Sequence, residues 1–202
     1  LSEGRSTAYG TSGELLLVEF NQRTDKASRG SALLLDKTVR EAITLCADRE
    51  TLSLTGFGGA MPAYGFSIPY GTDGSAAAVC SAESAASLLE SAGYTDANGD
   101  GVRESPKGES LSFRILCSDS STAWVRTANL LKDMCAPAGI ALEVTVLSPD
   151  KALAAAEEGD FDLFLTASQS YYDAYLALAS FYWNNGNGAF WNGTSSPGWN
   201  IS

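Results

Sequence analysis

From Ser110 onward two hydrophobic periods alternate, and this pattern constrains the fold more than any other feature of the chain. Leu111, Phe113, Ile115 and Cys117 recur every second residue, the period of a strand, and Trp124, Ala128, Leu131 and Cys135 then recur at helical spacing up to Gly139. Ile140, Leu142, Val144 and Val146 alternate again, Ser148-Pro149 opens a second helix with proline at its first position, and Phe161 to Thr166 predicts a third strand. Strand, helix, strand, helix, strand is the signature of a parallel α/β sheet joined by right-handed crossovers. Residues 110 to 167 are therefore expected to form three strands of one sheet, with helices over about 121 to 137 and 149 to 158 packed on it.

The first half is less regular. Residues 1 to 13 are polar and glycine-containing, Glu14 to Phe20 reads as a buried strand, and Asn21 to Gly30 reads as a charged loop. Leu35, Val39, Ala42, Ile43, Cys46 and Ala47 fall on one helical face with Asp36 near its start. This places Val39, Ile43 and Cys46 in a core, with Arg40 and Glu41 turned away or paired locally. Asp48 is positioned to cap a short helix over Arg49 to Thr55, ended by Gly56. Phe57 to Gly74 holds five glycines and two prolines among aromatics, which predicts an ordered loop. Ser81 caps a helix whose apolar face is Ala85, Leu88, Leu89 and Ala92, closed by Gly93. The tail is rich in aromatics and stops at Trp199-Asn200-Ile201-Ser202 without a closing element, so 184–202 reads as irregular and cut from a longer protein.

Composition removes several functions. The 202 residues carry 24 acidic and 13 basic side chains, net charge −11, which disfavours nucleic acid and anionic membrane surfaces as partners. There is no histidine, so imidazole-dependent nucleophilic catalysis and histidine zinc sites are excluded. Cys46, Cys80, Cys117 and Cys135 are spaced by 34, 37 and 18 positions, and no CxxC pair suggests zinc or thioredoxin-like chemistry. They read as small hydrophobes of a core, with a disulfide open to them in an oxidising compartment. Gly56, Gly58 and Gly59 lack the preceding strand and the following Lys-Ser/Thr of a phosphate cradle.

Three constellations remain. Asp96, Asn98 and Asp100 stand at positions 1, 3 and 5 of a calcium loop with Gly101 at 6, but position 12 is Lys107, and only Glu104 or Glu109 is near enough to reach back. The competing reading is an Asx-rich turn, expected to sit empty on the surface. Glu158, Asp160, Asp162 and Asp173 could supply the paired carboxylates of a hydrolase, although Glu158 and Asp160 stand in a helix-ending turn where water is the ordinary partner. Finally, ligands of open α/β sheets bind beyond the carboxyl ends of parallel strands. The third strand leads into Ser168, Gln169, Ser170, Tyr171, Tyr172 and Asp173, whose hydroxyls, amide, phenols and carboxylate suit a small polar ligand. The tyrosines are equally suited to ordinary packing at a helix start.

Taken in order, several segments resemble the extracellular solute-binding proteins of family 5, the oligopeptide, dipeptide and nickel receptors of ABC importers. Leu33 to Ile43 followed by Ala47-Asp48-Arg49 resembles the family's F-x-D-x-x-V-R-x-A-I and A-x-D-R helix pair, and Ser81 to Gly101 resembles its A-x-x-L-L-x-x-A-G-Y-x-D-x-N-G-D-G stretch. Phe20-Asn21, Gly139-Ile140 and Phe161-Asp162-Leu163 complete the series. The resemblance implies a periplasmic-binding-protein-like α/β lobe with a mixed sheet, spanning 1–202 as most of the second, C-terminal lobe of a longer two-lobe protein. It further implies capture of a peptide or related polar solute, no catalysis, no cofactor, a membrane permease as partner, and an extracellular or periplasmic address with lipoprotein tethering. Peptide-binding members often carry G-W-x-A-D-Y after the Phe-Asp strand, with the Asp meeting the ligand's amino group. Here Ala167 to Tyr172 occupy those positions, so that Trp and that Asp are absent. Either Asp173, two residues on, takes over cation recognition, or the ligand lacks an amino terminus.

Overall fold

The computed structural model describes residues 14–24, 28–56, 58 and 80–169. The loop expected over 57–74 lies outside this set apart from residue 58, as does the aromatic tail. Among these residues four strands, β1 (Glu14–Phe20), β2 (Ser112–Ser118), β3 (Ala141–Leu147) and β4 (Leu163–Gln169), form one mixed sheet in the order β1-β4-β2-β3. β2 is parallel to both β3 and β4, whereas β1 runs antiparallel to β4 along the opposite edge. Among the described residues five α-helices accompany the sheet: α1 (Lys37–Cys46), α2 (Arg49–Thr51), α3 (Ala82–Ser91), α4 (Thr122–Cys135) and α5 (Pro149–Glu158). The three strands and two helices expected over 110 to 167 are present.

Side chains alternate across the sheet as the pleat requires. Phe113, Ile115 and Cys117 of β2, with Leu163 and Leu165 of β4, meet α1, α3 and α4 in the larger core. Leu116 and Phe164 point to the opposite face and pack with Ala152 and Ala156 of α5 and with Phe161, whose ring lies 5.8 Å from that of Phe164. Helices thus cover both faces. A strand covered in this way reads as a continuous apolar run, as Ile115-Leu116-Cys117 does.

α1 begins two residues later than the apolar spacing suggests. Leu35 lies in a tight turn over Ala32–Leu35 and is 45% exposed, while its neighbour Leu34 is fully buried. The reason is Asp36, whose extended backbone (ψ 120°) stops the helix and whose carboxylate accepts from Thr38 N–H at 2.8 Å. Arg40 donates back to the Leu34 and Leu35 carbonyls at 2.8 and 3.0 Å, so its charge is paired locally as expected. The second helix is shorter than its spacing predicts: after Asp48 caps α2, the chain widens into a π turn over Leu52–Gly56. A Cβ on Gly56 would stand 2.6 Å from Thr127 Oγ1 of α4. The close approach of these two elements requires glycine there.

Tyr94, following α3, joins that helix to α1 through a 2.7 Å hydrogen bond from its hydroxyl to Asp36 Oδ2. Burial, then the Asp36 carboxylate, push the phenol up to about 12. Burial alone would raise the Asp36 carboxyl, but the hydrogen bonds from Tyr94 and Thr38 and the charge of Arg40 together hold it below its ordinary value. A phenol that keeps its proton more tightly when folded stabilises fully below pH 10 and loses that contribution as the pH rises towards 12; the depressed carboxyl loses its own as acid protonates it below 3.8. Tyr94→Phe is therefore expected to cost about 1 kcal/mol at pH 7, discounted because Asp36 is exposed. In denaturation curves taken from pH 9 to 12, the variant should lack part of the alkaline decline of the parent.

Candidate functional site

The register of the sheet fixes where a ligand can lie. Ser118 of β2 pairs with Leu147 of β3, and Cys117 pairs with Leu165 of β4, so the carboxyl ends of all three parallel strands face one end of the sheet. There β2 passes into Ser118-Asp119-Ser120-Ser121 and β3 into Ser148. The Asp119 N–H donates to the Leu147 carbonyl at 2.9 Å and locks the two ends together. Ser118 is buried and accepts from Ser120 N–H, and Ser121 caps α4 by accepting from Ala123 N–H at 3.2 Å. α4 and α5 both start at this end, which aims their positive dipole ends the same way. Asp119 and Ser120 are exposed. The strand-end rule that points to Ser168 and Gln169 applies equally to these residues, which no motif in the sequence marks.

β4 differs from its predicted span. Phe161 and Asp162 precede it, and it continues through Gln169, pairing Ser168 with Leu15 and Gln169 with Glu14. Ser168 and Gln169 are thus the last two residues of the strand, not the loop beyond it, because the antiparallel partner β1 extends the ladder. Tyr171, Tyr172 and Asp173 lie outside the described residues.

Three of the carboxylates suited to hydrolysis, Glu158, Asp160 and Asp162, gather at the opposite end. Asp162 Oδ1 accepts from Ser31 N–H at 2.6 Å and Oδ2 from Arg114 N–H at 2.7 Å, while its backbone carbonyl accepts from Asn21 N–H at 2.8 Å. Asp160 takes Arg114 at 2.9 Å and Arg29 at 3.4 Å. Glu158 is exposed at the end of α5. Asp162 therefore fixes the turn into β4, and Asp160 neutralises arginines. Beside them the amide of buried Asn21 donates to the Gly159 and Phe161 carbonyls at 3.0 and 2.8 Å.

The calcium-like loop also lies at this amino end, tied by Arg103 N–H to the Gly139 carbonyl just before β3. Asp96 accepts from the N–H groups of Gly99, Asp100 and Gly101, and Asp100 Oδ1 accepts from Val102 N–H. Glu104 does reach back: its carboxylate accepts from Ala97 N–H and from the Asn98 amide, and ligand oxygens of Asp96, Asp100 and Glu104 lie within 4.8 Å of one another. Arg103 holds the loop to the body, donating to the Ala138 and Tyr94 carbonyls at 3.2 and 2.8 Å. Nothing in its local sequence marked Arg103 for that role.

The family model described as bacterial extracellular solute-binding proteins, family 5, middle, matches residues 2–190. The chain belongs to this family. Its fold is shared with the oligopeptide-binding protein AppA of Bacillus subtilis, solved with a nonapeptide, at 18% identity over 94% of this chain and 36% of that one, TM-score 0.71. NikZ of Campylobacter jejuni, solved with Ni(L-His), gives 20% identity over 94% and 36%, TM-score 0.71. A periplasmic oligopeptide-binding protein of Thermotoga maritima with bound mannohexaose gives 18% over 93% and 36%, TM-score 0.72. The chain spans about a third of the length of these proteins. No curated protein sequence matches it. Among the described residues, no helix is long and apolar enough to cross a membrane.

Proposed function

We propose that this chain is one α/β lobe of a two-lobe solute-binding protein that captures a peptide or related small polar solute and delivers it to the membrane permease of an ABC importer. The observation that carries the reading is the family match over residues 2–190. Three relatives of the same fold were solved with a peptide, a nickel chelate and an oligosaccharide, so the ligand class is a matter of pocket side chains and not of the scaffold. In this reading Ser168, Gln169, Tyr171, Tyr172 and Asp173 border the cleft between the lobes, next to Ser118 to Ser121 at the neighbouring strand end. The protein works outside the cytoplasm, tethered as a lipoprotein, and catalyses no reaction. The engagement of Asp162 with backbone amides, at the end of the sheet away from the cleft, supports binding over hydrolysis. The Asp96 to Glu104 loop serves as a structural turn.

Calorimetry on the full-length protein, after screening peptides, oligosaccharides and metal chelates by thermal shift, tests this. With the solute so identified, Asp173→Asn is expected to weaken binding by roughly 10- to 150-fold, the scale of a charged hydrogen bond, at nearly unchanged stability. Unaltered affinity in Asp173→Asn, Tyr171→Ala and Tyr172→Ala alike would remove the segment from the site.

A further inference from the structure

Two of the cysteines meet. Cys46 is the last residue of α1 and Cys135 the last of α4, and both are buried in the larger core, 4% and 0% exposed. Both thiols are free, and they lie against each other in that cluster. We propose that Cys46 and Cys135 close a disulfide that ties α1 to α4 when the protein folds outside the cytoplasm. The inference rests on the extracytoplasmic address proposed above, where thiols are oxidised and bridges persist.

The surroundings favour a bridge over the other uses of paired thiols. Among the described residues the only group of three or more candidate metal ligands is Asp96, Asp100 and Glu104, and none of the described side chains joins the cysteine pair as a further zinc ligand. Both cysteines sit at helix ends, where the last turn has fewer hydrogen bonds to lose on small adjustment. The sulfurs are 89 positions apart in sequence, and a bridge over so long a loop removes much of the freedom of the unfolded chain. The pair also shares its protons unequally. The hydrogen bond from Cys135 lowers the Cys46 thiol, whereas the Cys135 thiol is pushed up by that same bond and by burial.

The oxidant is a disulfide, small or carried by an oxidoreductase, which acts before the core closes. The Cys46 thiolate attacks one sulfur of R–S–S–R, forming a mixed disulfide and releasing one thiolate. Cys135 then attacks the Cys46 sulfur and releases the second. Two electrons and two protons thus pass from the cysteines to R–S–S–R, which leaves as two molecules of RSH.

The test is oxidative folding of the full-length protein in a glutathione buffer, followed by denaturation, alkylation and peptide mapping. Cys46 and Cys135 should appear as one cross-linked peptide pair and resist alkylation, while Cys80 and Cys117 are alkylated. The melting temperature should fall by roughly 5–15 °C on reduction. In the Cys46→Ala/Cys135→Ala variant this dependence on reductant should vanish. Alkylation of all four cysteines after oxidative folding, or cross-linking of Cys46 to Cys80 or Cys117, would overturn the proposal. Solute binding is scored separately: a cross-link in a protein that binds no solute upholds the bridge and counts against the receptor reading alone.

Discussion

Val39→Asp is expected to destabilise the protein by about 4 kcal/mol, a large share of the roughly 5–15 kcal/mol that holds a domain folded. Val39 is fully buried on the inner face of α1, in one cluster with Leu34, Ala42, Ile43, Ala85 and Leu89. The substitution removes apolar contact and places a carboxylate in a cluster of buried apolar side chains, so it must either take up a proton or open the helix interface. Exposed Lys37 and Glu41 on the same helix are the controls, since their replacement by alanine should stay within about 0.5 kcal/mol. Urea titration of the three variants at pH 7 decides. A loss below about 1 kcal/mol for Val39→Asp would mean that this face is not core.

The second large effect is expected at Asn21. Its amide serves two carbonyls 138 and 140 residues away in sequence, and together with Asp162 it seals the crossing of the first loop with the turn into β4. Asn21→Ala leaves both carbonyls without that donor in a site 2% exposed, which should cost about 2–4 kcal/mol. Asn21→Asp should cost more, because a carboxylate would then face the two carbonyl oxygens. A Cβ on Gly30 would lie 2.5 Å from the Asn21 amide nitrogen and 2.8 Å from the Phe161 carbonyl, so no larger side chain at 30 can take over the space. A double-mutant cycle of Asn21→Ala with Asp162→Ala should show coupling above about 0.5 kcal/mol. Additive effects would show that the two residues hold the junction independently.

These two sites differ in how far they could be read in advance. Val39 is legible because a helix repeats every 3.6 residues, and six apolar side chains between 35 and 47 declare one face. The same local chemistry discloses the caps: Asp36, Asp48 and Ser81 each accept from an N–H two or three residues ahead, a bond requiring nothing beyond the adjacent turn. The strands of 112–118 and 141–147 follow from a period of two, and the helices between them make the pairing parallel. Leu35 shows the limit of this reasoning. It fits the period of α1, yet the backbone of Asp36 ends the helix before reaching it.

Partners that sit on different elements have no such local signature. That β1 lies antiparallel on β4 and carries the ladder to Gln169 depends on which sheet edge is open once β2 and β3 have paired. In the same way only the assembled structure makes Asn21 a clamp, Arg103 a tie to the Ala138 and Tyr94 carbonyls, and Asp162 an acceptor for two amides in place of a catalytic acid. It also brings Cys46 to Cys135. Periodicity and capping are properties of a few consecutive residues, and the sequence by itself determined them. Which distant groups meet is settled when apolar faces close together and buried polar atoms must find partners, and that belonged to the tertiary structure alone.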